Sequence, residues 1–339
     1  MATPSKNEQR GISVKRQRGF SVLIFALIIT FVLGGCGTQS GQQAASAKIS
    51  IAEQYGIAYA PLQIVKEKKI LEQKLPGIQV EWHQLSNTTE IREGMLAGKV
   101  DAGFMAIPPF LIGFDKGMDW KIATGLSSSP VGLVTSKEGV KSLKDFTAGD
   151  RIALPQPGSV QHILLAMAAE RELGDAKKLD NLLVTMNHPD GMNALLAKKD
   201  ITAHFTAMPY LSKELENKEM HQLLSGQEAM GKDFSFIVGV ATKKLHDNNP
   251  EVYKAFVEAV AEAVEFVQNN PEQAAEILAA DYKLSQEEVL KYLTYEDTGY
   301  STKVRGIPQF ADFMVRNGYL TKPIKQSQDV LWEDVNYED

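Results

Sequence analysis

The sequence predicts an α/β protein of two lobes joined by two passages of the chain. A length of 339 residues suggests roughly two domains at about 150 residues each, and it is ample for a sizeable core. From Lys48 onward, short apolar strand-like stretches are interleaved with stretches of helical periodicity, the pattern of a mainly parallel sheet with crossover helices. One αβ unit is interrupted by a second, and the apolar segment "DFSFIVGVAT" at 233–242 then leads into helical sequence rather than a further βαβ unit. Two passages between lobes make a hinge, and a hinge makes a cleft that can close on a ligand.

In the first unit, Ile49 and Ile51 alternate as in a strand, and Pro61 opens a helix carrying Leu62, Val65 and Ile70. Ile78, Val80 and Trp82 alternate again, after which Ile91 and Met95 mark a helix that stops near Gly98. Strands are expected at 100–105, 121–125 and 131–135. Ser142-Leu143-Lys144-Asp145 has capping-box spacing and opens the second unit. There 151–154, 182–186 and 201–205 read as strands, with helices over 159–173 and 191–198. After the return strand, Asn249-Pro250 and Asn270-Pro271 each start a helix with proline at the favoured first position, and Ser285 starts a third. The expected lobes are 48–135 together with 236–339, and 136–235, with the crossings sought within 131–140 and 232–242.

A hydrophobic content of 44%, a charged content of 23% and a net charge of -6 are those of an ordinary globular protein. The basic excess that nucleic-acid binding needs is missing, so no nucleic-acid partner is expected. A single cysteine permits no internal disulfide and no structural zinc spacing. That residue, Cys36, ends an apolar run from Phe20 to Leu33 that follows Lys15, Arg16 and Arg18. The run is short for the ~20 residues of a membrane-spanning helix, and its flanks are those of a secretory signal. Leu33-Gly34-Gly35-Cys36 resembles a bacterial lipobox, which implies a lipoprotein signal peptide over 1–35 and a mature chain lipidated at Cys36. An ordinary signal peptide or an uncleaved anchor with an incidental cysteine is the alternative. Residues 36–47, polar and aperiodic, read as a flexible tether.

The string "YGIAYAPLQIVKEKKILEQKLPGIQVEW" followed by "LAGKVDAGFMAIPPFL" is similar to the start of bacterial ABC-transporter solute-binding proteins of the nitrate, sulfonate and taurine type. "LPQPGSVQHILLAMAAERELG" resembles the Gly-Ser turn that opens the first helix of their second lobe, and "NPEVYKAFVEAVAEAVEFVQNNPEQAAEIL" their long carboxy-terminal helix pair. The resemblance implies a type II periplasmic-binding-protein fold. It also implies a monomeric, extracytoplasmic lipoprotein, anchored to the bacterial cell membrane, that delivers a small solute to permease subunits driven by a separate ATPase. The chain has no Gly-x-x-x-x-Gly-Lys-[Ser/Thr] motif and so is not that ATPase.

Ligands of open α/β sheets sit beyond the carboxyl ends of strands, where helix amino ends offer free N–H groups and a positive pole. Four loops fit. Tyr55 and Tyr59 offer stacking walls after the first strand, or pack between helices. Asn87 and Thr88 are donors before the next helix, although helix capping explains them equally. Ser128, within a triple serine at the first crossing, offers a hydroxyl or is a plain polar turn. The strongest candidate is the loop Gln156–His162, where Gly158 lets backbone approach a ligand and Gln156, Ser159 and His162 supply polar groups. In the second lobe, His188 belongs to a polar loop that the resemblance directs to the cleft, with Asp190 either touching ligand or capping a helix. Met208 stands where many relatives carry an acid that would pair with a ligand amine. This departure favours a small organic anion, sulfonate-like, with an apolar or aromatic tail that a thioether accommodates. A thiamine-precursor-type heterocycle and a non-transport sensing lipoprotein are the alternatives.

No enzyme is expected. The six histidines include no His-Glu-x-x-His, so no metal site is expected. There is no Gly-x-Ser-x-Gly elbow either. The cysteine-rich motif of the eukaryotic thiamine-pyrimidine synthases, which share the fold, cannot be built from one thiol. No cofactor is expected.

Overall fold

A computed structural model describes residues 47–339. The expected signal segment, Cys36 and all but the last residue of the tether lie outside the described residues. The strands in chain order are β1 (Lys48–Glu53), β2 (Gln79–Gln84), β3 (Ala102–Met105), β4 (Trp120–Ser128), β5 (Val131–Thr135), β6 (Ile152–Leu154), β7 (Leu183–Thr185), β8 (Ala203–Ala207), β9 (His221–Ser225), β10 (Ile237–Thr242), β11 (Gly299–Tyr300), β12 (Val304–Arg305) and β13 (Tyr337–Glu338). They form a six-stranded sheet of order β11-β4-β10-β3-β1-β2, a five-stranded sheet of order β7-β6-β8-β5-β9 and a small β12-β13 ribbon.

In the first sheet β1 is parallel to both β2 and β3, whereas β10 runs antiparallel between β3 and β4. Helices cover both faces, so β1 is buried at every residue after Lys48 rather than only at Ile49 and Ile51. The price of such a strand is a buried hydroxyl, and Ser50 Oγ meets it by donating to the Lys99 carbonyl at 2.6 Å. The helix Pro250–Asn269 buries Val252, Phe256, Ala259, Val260, Ala263 and Val267 on one stripe. Phe256 meets Phe104 of β3 edge-on at 5.9 Å. Among the described residues no helix is long and apolar enough to cross a membrane.

β5 departs from the expected boundary. It pairs antiparallel with β8 (Val131↔Ala207) and with β9, and so belongs to the second sheet. The first crossing is only Ser129-Pro130, because proline has no N–H for a ladder and separates two otherwise continuous apolar strands. The second crossing spans 231–236, between the helix Gly226–Met230 and β10. The helix expected from Gly191 begins at His188, because Asn187 Oδ1 accepts the Asp190 N–H at 2.9 Å and Pro189 occupies the first turn. His188 and Asp190 therefore lie inside the helix, and Asn187, not Asp190, is its cap. Asn249 and Asn270 precede their helices without a side-chain capping bond.

Candidate functional site

Between the two sheets lies a cavity of about 50 Å³. A water molecule's share of the liquid is ~30 Å³, so the cleft is nearly shut. Gln54, Tyr55, Tyr59, Thr88 and Pro109 line it from the first sheet's layer, and Gln156, Ser159, Gln161, Asn187, His188 and Met208 from the second. Phe236 of the second crossing and Ile237, the first residue of β10, complete the wall. One hydrogen bond spans the gap beside it, from Thr89 Oγ1 to Gln156 Oε1 at 3.1 Å.

Four helices open onto this space, two from each sheet: Thr88–Leu96, Ile107–Asp115, Val160–Leu173 and His188–Leu196. Each follows a strand that ends at the cleft, which is why the amino ends converge. They are not equivalent as anion holders. Pro108 and Pro109 strip Ile107–Asp115 of two donors, and Pro189 strips His188–Leu196 of one. Glu90 and Asp190 place carboxylates in the first turns of Thr88–Leu96 and His188–Leu196, opposing a ligand anion. Val160–Leu173 has no first-turn acid, and its cap Ser159 Oγ takes only the His162 N–H, at 3.3 Å. The amides of Val160 and Gln161 remain available, so this helix is the strongest positive pole at the site.

Among the described residues no Asp, Glu, Lys or Arg side chain lines the cavity. The imidazole on the lining, His188, is pushed down to about 3 by burial and then by His204, and is neutral at ordinary pH. The Gln161 amide nitrogen donates toward His188 Nε2 at 3.4 Å, which leaves His188 Nδ1–H to donate to Thr206 Oγ1 at 3.1 Å. The ring stacks on Tyr210 at 5.8 Å. Behind it, His204 Nδ1 and Glu214 Oε1 share a proton at 2.6 Å. Burial pushes the acid up and the imidazole down, so the pair carries no net charge. Among the described residues no group of three or more His, Cys, Asp or Glu is placed to hold a metal ion.

Of the sequence candidates, Tyr55, Tyr59, Thr88, Gln156, Ser159, His188 and Met208 lie on the cavity. Three do not. Asn87 is used as a helix cap, accepting the Glu90 N–H at 3.1 Å, and faces an adjoining groove with Asp190. Ser128 lies in a separate cavity of about 430 Å³, its hydroxyl turned toward the Gly299 carbonyl. His162 is one helical position past Gln161, and that 100° rotation turns its ring into the protein body. There Nδ1 accepts the Gly158 N–H at 2.9 Å and Nε2 donates to Asp180 Oδ1 at 3.1 Å. Sequence reasoning missed Gln54, Phe236 and Ile237, and held Gln161 and Asn187 only as members of candidate loops without singling them out. Gln54 follows the last residue of β1, and Gln161 and Asn187 flank helix starts, so strand-end and cap positions carried the available signal.

Two α/β layers facing one another across a polar cleft, joined by two crossings, define the periplasmic-binding-protein fold. Solved structures bear this out. The alkanesulfonate-binding protein of Xanthomonas axonopodis pv. citri superposes with a TM-score of 0.70 at 19% identity, over 84% of this chain and 98% of that one. The periplasmic nitrate-binding protein of Synechocystis PCC 6803 gives 0.62 at 16% identity, over 86% of each. A Brucella abortus protein with a provisional binding-protein name is 26% identical over 293 residues, 81% of this chain and 86% of its own. The chain belongs to the NMT1-like family, whose profile matches residues 42–280.

Proposed function

We propose that this protein is the extracytoplasmic solute receptor of an ABC importer, tethered through lipid on Cys36, and that it closes on a small organic anion. The observation that carries this reading is the convergence of four helix amino ends from two lobes on one cavity free of side-chain charge. Such a site holds an oxyanion by amides and hydroxyls without fixing a countercharge, and it offers an amine no carboxylate to pair with. Tyr55, Tyr59, Phe236 and Met208 supply apolar surface for a tail. The named activities of the alkanesulfonate-binding and nitrate-binding neighbours agree with this chemistry. A cap and dipole contribute on the order of 1 to 3 kcal/mol against the ~8 kcal/mol of micromolar affinity. Aromatic contact and lobe closure supply the remainder, and a permease with its ATPase receives the solute.

The uncharged lining also suits a neutral heterocycle stacked between tyrosines, which gives the test a second arm. Calorimetry against methanesulfonate, nitrate, benzoate and an aminomethylpyrimidine should show micromolar binding of an oxyanion. Ser159→Val should weaken it at least tenfold while the variant stays folded. Binding of the pyrimidine alone would move the reading to the heterocycle. Chemical turnover of any probe, or no binding with unchanged scattering, would end the capture reading.

A further inference from the structure

The segment after the helix Ile307–Arg316 ties the two layers together without touching the solute cavity. On the first layer's side, the Asp115 carboxylate at the end of Ile107–Asp115 accepts the N–H groups of Thr321 and Lys322 and the Thr321 hydroxyl, at 3.0 to 3.1 Å. On the second layer's side, Arg316 and Asn317 both donate to Glu170 of Val160–Leu173, at 2.9 and 3.0 Å. The Tyr319 ring meets His162 edge-on at 5.5 Å, and Lys177 lies over its face at 5.3 Å.

His162 continues the connection inward. Its Nδ1 holds the N–H of Gly158, whose φ of 82° makes the turn between the cavity residues Gln156 and Ser159. Gln156 in turn bonds across the cleft, accepting from Thr89. The contact is also poised rather than fixed, because the Tyr319 hydroxyl is buried with no partner among the described residues. A buried donor that gains water on opening offsets part of the free energy that favours the closed arrangement.

We propose that residues 316–322 form a latch that favours the closed cleft, and that His162 is the positioning residue through which the latch sets the Gln156–Ser159 loop. Its role in delivery rests on the solute-capture reading; the latch itself does not. The test uses the full chain with Cys36→Ser and spin labels on cysteines placed at the exposed Lys199 and Lys254, one on each layer. Without solute, Glu170→Ala should move the distance distribution to longer separations, and Tyr319→Phe should sharpen the short one. Unchanged distributions in both variants, each folded by circular dichroism, would overturn the latch. For His162 the readout is amide exchange at Gly158, which His162→Leu should accelerate at least tenfold. His162→Asn, whose amide oxygen can accept the same N–H, should restore protection. Equal exchange in the two variants would overturn the positioning role. If no solute binds the wild type while the distances respond as expected, the capture reading fails and the latch stands.

Discussion

Glu53 ends β1 one residue before the cavity and is buried to 3% exposure. One carboxyl oxygen accepts the Gln63 amide, and the other has no partner among the described residues. Burial pushes its pKa up from 4.5 to about 7, against the opposing pull of Gln63 and Lys66. Between those two values the folded protein keeps a proton that the unfolded chain has lost, so stability falls as pH rises through this window and levels off above it. Glu53→Gln should match the wild type below pH 4.5 and exceed it at pH 8 by on the order of 3 kcal/mol, read by urea unfolding at both pH values. Sequence shows a glutamate at a strand end but not its burial. That depends on Gln63 and on the tyrosines Tyr59 and Tyr282 that close over it in three dimensions. The same limit explains His162 and His188. Both sit in quoted polar loops, and only the turn of their helices decides that one ring faces the cavity and the other the body.

At the scale of elements, Val160–Leu173 has the clearest sequence signature: the Ser159 cap, Arg171 in the last turn, and Gly174 closing it with φ of 75°. Ser159→Ala should remove about 1 kcal/mol and lower the melting temperature by roughly 2 to 4 °C, as calorimetric melting would record. Helix Ile107–Asp115 escaped the sequence reading because it is buried nearly all round and has no 3.6-residue stripe to detect. β5 was legible as a strand, but "VGLVT" is buried at every position, with no polar face in its sequence to say which sheet it joins. β4 depends on a close approach that no periodicity shows. A Cβ on Gly125 would sit 2.6 Å from the Ser301 carbonyl and 2.8 Å from that of Lys303. These are backbone atoms that cannot step aside, so Gly125→Ala should cost about 1 to 3 kcal/mol by chemical unfolding and detach the 301–303 segment.

For the molecule as a whole, the two-lobe plan was readable from the order of motifs, whereas the size of the closed cleft was not. A space of about 50 Å³ is small beside an organic anion with a tail, so the proposed capture calls for the layers to separate and then close again. Small-angle scattering should therefore show a change in radius of gyration on titration with a bound solute, with a midpoint at least tenfold higher in concentration for Ser159→Val.

The placement of β10 has a further consequence. It lies in the middle of the first sheet, between β3 and β4, yet the chain reaches it only after building the whole of the second sheet. The first sheet therefore keeps an open slot until residue 242 arrives, and a nascent or truncated chain ending before 237 presents two unpaired ladder edges. Such a contact order makes maturation slow and late, which leaves a newly made polypeptide threadable for longer than its size alone would allow.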